Sequence, residues 1–347
     1  MHDYFANYGG GERLVDILSK RKDLLIYGFV NKEIKKKIKT KAKQISLLNY
    51  KVPDLIKKII LIIKFFLLKI PNCTNCICSG NYSLFSNLKN AKNKVIYVHS
   101  LPKIFFKYNL FYKKNFFKYL IYIFFKKIYL YLYIKKLNSF KCIISNSNFT
   151  KKSLKKITNK KIFVIYPPIK KNKIKKIFIG DFYLSNNRHE VEKNIDKIIL
   201  AFQKMKDKKL IITSQGSLTK KYIKLAKKFT NIKFVGLVND KKYFNLLKKC
   251  RALINVTNNE DFGMSAIEGM SYGKITFCIN EGGYKETTIN NFNSIHVKKN
   301  NIVEDLVNKI QTINTSILNK LGKNCIKTSK KFSEEKFFKR LNNLATK

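Results

Sequence analysis

The sequence predicts an α/β protein of two domains, each a parallel sheet with helices crossing between its strands. Length is the first reason: 347 residues exceed the roughly 100–150 that one core usually organises. The second is alternation, because short apolar runs of strand length are separated by helical patterns along most of the chain. The third is Pro167-Pro168, the only such pair, which follows a strand pattern and precedes a lysine-rich stretch. The expected domains are therefore 1–166 and 167–331, with a terminal stretch 332–347.

In the first domain the expected strands are Leu24–Phe29, Asn75–Cys78, Val95–His99, Cys142–Ser145 and Ile162–Tyr166. In the second they are Ile174–Ile179, Leu210–Thr213, Ile232–Val235, Ala252–Val256 and Ile275–Ile279. All but Asn75–Cys78, whose apolar content is Cys and Ile, are short runs rich in Ile, Val, Phe or Leu, the content of a strand covered on both faces. Asn194–Lys206 and Lys241–Lys249 carry helical spacing, and a last helix is expected at about Glu334–Ala345. With 45% hydrophobic residues, both halves can bury a core.

The net charge is +51, and part of it reflects composition. Lys, Ile, Asn, Phe and Tyr dominate as an AT-rich coding sequence would make them. The halves nevertheless differ. Residues 1–180 hold 40 Lys/Arg and 6 Asp/Glu, whereas 181–347 hold 32 and 15. No acidic residue lies between Asp54 and Asp181, so an anionic surface or substrate is expected on the first domain. Only five of the 72 basic residues are Arg, which speaks against specific nucleic-acid binding, where the bidentate guanidinium is favoured.

Cys73, Cys76 and Cys78 lack a nearby second Cys/His pair to complete a zinc site, so structural thiols in a reducing cytosol are expected. No signal peptide is visible in the polar N-terminus. Leu55–Ile70 is apolar but interrupted by Lys57, Lys58, Lys64 and Lys69, and falls short of the ~20 residues of a membrane span. Phe105–Tyr133 holds fourteen aromatic residues interleaved with lysines. It reads either as a helix lying in a lipid interface or as an ordinary aromatic core helix pair.

The chemistry concentrates in Asn258–Gly273, a strand-to-helix turn. Gly263 permits close backbone approach and Ser265 is placed to cap the helix. The N–H groups of Met264, Ser265 and Ala266 are expected to face an anion such as a diphosphate. Glu260 in the loop and Glu268 one turn inside the helix can accept hydrogen bonds from different hydroxyls of one ligand.

E-D-F-G-x-S-x-x-E over Glu260–Glu268 resembles the signature of the retaining glycosyltransferases of family 4. Further stretches resemble family motifs in family order along nearly the whole chain: Gly9–Arg13, Tyr97–Ser100, Ser145–Thr150, Tyr166–Pro168, the pair Arg188 and Lys193, Phe234–Gly236 and Gly282–Thr287. The resemblance implies a GT-B fold, two Rossmann-like domains facing across a cleft, with the last helix returning to the first. It implies roles as well. Gly10 and Gly11 would meet the donor phosphates, and Arg188 and Lys193 would neutralise the leaving nucleoside diphosphate with no metal or other cofactor. Glu268 would bind the ribose, Gly236 would lie beside the base, Glu260 would hold the donor sugar, and His99 would face that sugar. Retention in this family is attributed to front-face attack rather than a carboxylate nucleophile.

One departure stands out. Family members begin with an apolar strand leading into a segment like His2–Phe5, and Met1 stands where that strand would end. The expectation is that either the true start lies upstream or the first central strand is missing, which puts the roles of Gly9–Gly11 in question. The reading is a hexosyltransferase, mannose- or glucose-type, using a nucleotide diphosphate sugar. Its expected acceptor is a glycan or lipid-linked glycan at the inner face of the cell membrane, with the protein cytoplasmic and peripheral. The alternatives are a non-catalytic or truncated relative, a GT-B epimerase or phosphorylase-like enzyme, and a basic nucleic-acid-binding protein.

Overall fold

The computed structural model describes residues 1–5, 9–20, 23–30, 35, 38, 40–48, 54–102, 116–170, 172, 174 and 176–345. The chain divides into two compact units, Met1–Pro167 with Phe337–Lys347, and Pro168–Lys336.

The first unit holds seven strands: β1 His2–Phe5, β2 Leu24–Val30, β3 Lys43–Leu48, β4 Cys73–Ser79, β5 Ala91–Val98, β6 Cys142–Ser145 and β7 Ile162–Val164. Their order is β3-β2-β1-β4-β5-β6-β7, and every pairing is parallel. Alternation along β5 feeds two cores. Tyr97 packs with Leu14, Leu18 and Ile144 from one face, joined by Phe337, Phe338 and Leu341 of the terminal helix Glu334–Ala345. Ile96 and Val98 pack on the other face with Leu84, Tyr133 and Leu137, as a period of two requires.

The expectation of a missing central strand is overturned. His2–Phe5 itself is that strand, with His2 opposite Tyr27 on one side and Ser79 on the other. Its polar sequence is accommodated because Asp3 finds dedicated partners. The Asp3 carboxylate accepts from the backbone N–H groups of Asn81, Tyr82 and Ser83 at 2.5, 2.9 and 2.7 Å, closing the turn after β4. Burial pushes this carboxyl up to about 6, against the lowering effect of those bonds. Lys43–Leu48 is a further strand, absent from the expected set.

The second unit is a six-stranded parallel sheet: β8 Phe182–Ser185, β9 Lys209–Thr213, β10 Ile232–Gly236, β11 Ala252–Asn255, β12 Thr276–Ile279 and β13 Ser294–Val297. The order is β10-β9-β8-β11-β12-β13. Here the expected strand Ile174–Ile179 is corrected to Phe182–Ser185, since none of its described residues is in a strand. Its side chains serve as packing wedges instead: Ile177 lies against Gly273 and Gly322, where a Cβ would approach it to 2.8 and 3.0 Å. The Lys274 ammonium, almost fully buried, donates to the carbonyls of Phe178 and Cys250 and pins this connector down.

Of the two apolar stretches, 55–70 forms the helix Asp54–Leu67. Residues 105–115 of the aromatic stretch lie outside the described residues, and the remainder belongs to the helix Phe116–Asn138. Among the described residues no helix is long and apolar enough to cross a membrane. Cys76 and Cys78 are buried and Cys73 is half-buried. Burial pushes the Cys73 and Cys78 thiols up, disfavouring the thiolate a metal would need.

Asp3→Ala leaves three backbone donors without their acceptor, and the expected cost is about 3 kcal/mol. Asp3→Asn, which keeps one acceptor oxygen, should cost less. Urea unfolding at neutral pH checks both, and equal stability of the three proteins would refute the assignment.

Candidate functional site

In a parallel sheet whose strand order reverses, the loops on either side of the reversal leave in opposite directions and open a crevice at the carboxyl ends of the strands. In the second unit that point lies between β8 and β11, paired through Tyr183–Ala252 and Leu184–Leu253. The loop after β8 carries Arg188 and Lys193; the loop after β11 carries Glu260 and Gly263. The structure thus brings the sequence-predicted residues of this unit to one edge.

Lys193 ends the short 3-10 turn Val191–Lys193, after which Asn194 takes a left-handed conformation, φ 51°. The Asn194 amide donates to the Val256 carbonyl at 2.7 Å, so the first loop is fastened to the second. Lys193 and Glu260 then form an ion pair of 2.8 Å with side chains only 12% and 19% exposed. Arg188, by contrast, is exposed. Its neighbour His189 is fully buried, its ring between the Thr219 hydroxyl at 2.9 Å and the Thr213 carbonyl at 3.2 Å. Burial pushes that imidazole down, which keeps it neutral while it anchors the loop bearing Arg188.

Gly263 has φ 88°, and a Cβ there would lie 2.6 Å from the Tyr284 ring; both facts demand glycine. It is the N-cap of the helix Met264–Met270, which corrects the expectation that Ser265 caps it. The Ser265 hydroxyl accepts instead from the Asn255 amide at 2.9 Å, and Asn255 in turn accepts from Asn187 at 3.0 Å. The Ala266 N–H also differs from expectation, since it donates to the Gly263 carbonyl at 3.0 Å. Met264 and Ser265 keep the outward N–H groups of a helix start.

Glu268 lies on the buried side of the helix, accepting from the Tyr243 hydroxyl at 2.7 Å, which itself accepts from the Asn186 amide at 2.9 Å. Gly236, φ 66°, ends β10 with open space around its Cβ position. The loop after β12 closes the site: Gly283 N–H donates to the Glu260 carbonyl at 2.6 Å. The side-chain atoms Ser185 Oγ, Asn186 Oδ1 and Asn258 Oδ1 are buried there with no hydrogen-bond partner. Native structures seldom leave such groups unmet.

In the first unit the reversal falls between β1 and β4. His99, just past β5, places its Nε2 2.7 Å from the Ser79 hydroxyl and its ring against Gly11, whose Cβ position is 3.7 Å away. Gly10 and Gly11 form the first turn of the helix Gly10–Ser19, capped where Gly9 N–H donates to Glu12 at 3.0 Å. Burial pushes the His99 imidazole down to about 4, so it is neutral at physiological pH.

Sequence reasoning missed Tyr243, Asn255, Asn187 and Ser79. Their partners lie between 10 and 68 residues away, beyond any local pattern. Among the described residues, no group of three or more His, Cys, Asp or Glu is placed to hold a metal ion.

Residues 168–332 match the family model described as Glycosyl transferases group 1. The uncharacterized glycosyltransferase MJ1178 of Methanocaldococcus jannaschii is 31% identical over 198 residues, 56% of each chain. The alpha-1,3/1,6-mannosyltransferase ALG2 of Dictyostelium discoideum is 28% identical over 257 residues, covering 59% of this chain and 60% of the relative. The chain thus spans little more than half the length of these curated relatives. Among solved structures, Anabaena HepE in complex with UDP and glucose superposes with a TM-score of 0.73 over 99% of both chains at 14% identity. That likeness shows the fold, GT-B with two parallel-sheet Rossmann-like units.

The depressed His99 pKa has a sign that can be measured. An imidazole whose folded pKa is about 4 and whose unfolded pKa is about 6.5 is protonated first in the unfolded chain. Its contribution is complete above pH 6.5 and is lost as pH falls towards 4. Because His99 is only half-buried, we expect a loss on the order of 1–2 kcal/mol over that window. Stability curves of the wild type and His99→Gln should converge there, and parallel curves would contradict it.

Proposed function

We propose that this chain, whose C-terminal unit belongs to the glycosyl transferases group 1, transfers a sugar from a nucleotide diphosphate donor with retention of configuration, in the manner of family 4. The observation that carries the proposal is the Lys193–Glu260 pair set across the strand-order reversal, beside the left-handed Gly263 turn. It is a ready place for a diphosphate next to a group that accepts sugar hydroxyls.

In this reading Arg188 and Lys193 stabilise the charge that develops on the leaving diphosphate, the step where electrostatic preorganisation contributes most. Met264 and Ser265 N–H groups bond the same phosphates, and the same role is proposed for Gly10 and Gly11. Glu260 holds hydroxyls of the donor sugar, and its pairing with Lys193 keeps both groups oriented before the donor arrives. Glu268 binds the ribose, its carboxylate held in one rotamer by Tyr243. Gly236, with nothing near its Cβ position, leaves room for the base. His99, neutral at physiological pH, hydrogen-bonds the transferred sugar without adding charge.

The donor is a mannose- or glucose-type hexose, and the reaction uses no metal ion or other cofactor. The acceptor is a glycan or lipid-linked glycan at an anionic membrane surface, approached from the cytoplasmic side. This last element is supported by the acid-free, lysine-rich composition of residues 55–180. Specific nucleic-acid binding is not part of the reading.

Calorimetric titration with UDP and with GDP tests the donor site. One nucleotide should bind at micromolar strength, weakened about tenfold or more by Arg188→Ala and by Glu268→Ala. Tyr243→Phe, which removes one hydrogen bond to the carboxylate without removing the carboxylate itself, should weaken binding about threefold to tenfold. Folded protein that binds neither nucleotide would defeat the proposal in favour of a non-catalytic relative.

A further inference from the structure

We infer that two adjacent helices of the N-terminal unit form a single docking face for an anionic lipid bilayer. The helix Asp54–Leu67 is turned the wrong way for water. Ile56, Ile59, Ile63, Phe66 and Leu67 recur at helical spacing on one stripe and are 50–68% exposed. Its lysines Lys57, Lys58 and Lys64 are only half-exposed at the flanks. Lys64 donates to the Leu47 carbonyl at 2.6 Å, and Lys57 lies 5.0 Å from the Phe29 ring centre. A solvated helix would send its lysines outward and its isoleucines in. Leu61 and Phe65 already fill the inner face, so rotating the helix cannot hide the stripe.

The helix Phe116–Asn138 repeats the arrangement. Phe124, Phe125, Ile128, Tyr131 and Leu132 are 41–64% exposed, while Tyr133 and Leu137 anchor the opposite side in the core. Lys127 and Lys135 are exposed among them. The two helices meet: the Lys136 ammonium sits 5.3 Å from the Phe66 ring centre. Both also flank the turn Ser83–Phe85, through Phe85 against Tyr129 and Asn87 N–H on the Phe65 carbonyl. Ten of the nineteen exposed large apolar side chains among the described residues lie on these two helices.

What covers such a face is decided by charge. From Asp54 to Asp181 the chain has no acidic residue, so a second copy would bring like charges together. An anionic bilayer answers both halves of the pattern, since Phe, Tyr, Ile and Leu enter the acyl boundary while lysines meet headgroups. No helix crosses the bilayer in this arrangement, in keeping with the absence of a spanning helix among the described residues. The inference deepens the proposed function by assigning the surface that holds the acceptor, and for that purpose rests on it.

The test is sedimentation of the full chain with vesicles of phosphatidylcholine alone or mixed with phosphatidylglycerol, with nucleotide titration on the same sample. The mixed vesicles should bind at least about tenfold more tightly than neutral ones. The triple variant Ile59→Ser, Ile63→Ser, Phe66→Ser should lose about tenfold while keeping its melting temperature and nucleotide affinity. If that variant does not fold, Lys127→Glu with Lys135→Glu should show the same loss. Binding unchanged in a folded triple variant would mean that charge alone attracts the protein, and the docking face would be wrong. It would also be wrong if folded wild type ignored both vesicles, or if the variant abolished self-association instead. Vesicle binding without nucleotide binding would uphold the face and remove the proposed function.

Discussion

The ion pair between Lys193 and Glu260 organises the second unit's functional edge. It joins two loops that the strand order sends in opposite directions, and it does so where both side chains are largely withdrawn from water. A pair held this way gains little net stability, because desolvation offsets most of the attraction. Its effect is on geometry: it holds the two side chains, and the loops that carry them, in one arrangement. Around it, Asn194 on Val256 and Gly283 on Glu260 fix the backbones, so the charged groups stand on a frame that neither loop could supply alone.

The two units solve different solvation problems. The second buries a continuous apolar core beneath an edge rich in amides, hydroxyls and carboxylates, with acidic and basic residues interspersed. The first carries cationic charge without acid over more than a hundred residues and turns apolar stripes outward. Its own candidate edge sets the neutral His99 imidazole beside Ser79 and Gly11, and the carboxylates near it, Asp3 and Glu12, are engaged by backbone N–H groups.

How much of this could be read from residues alone depended on how local the cause was. The Ala252–Met270 segment was legible because a buried strand, a glycine that must turn left-handed and a helix start all lie within one window. Strand β1 was not, because His2–Phe5 has too little apolar content to announce a strand; its place is set by Tyr27 and Ser79 on either side. Ile174–Ile179 misled for the opposite reason, being apolar enough for a strand while serving as wedges beside Gly273 and Gly322. Arg188 and Lys193 could be singled out, but the partner of Lys193 lies 67 residues away. Asn255 was hidden in an apolar run, and only the fold shows its two amide contacts.

The backbone contact between Gly282–Gly283 and Glu260 has a consequence for any attempt to re-engineer this edge. A Cβ at Gly282 would come within 2.3 Å of the Glu260 carbonyl, one at Gly283 within 2.4 Å of Phe262, and one at Gly263 within 2.6 Å of Tyr284. The loops after β11 and β12 therefore interlock through three positions that admit no side chain. A replacement loop that brings a side chain to any of these positions would jam against the other loop. The smallest exchangeable cassette is the pair together, 256–263 with 280–288, carried across as one rigid module.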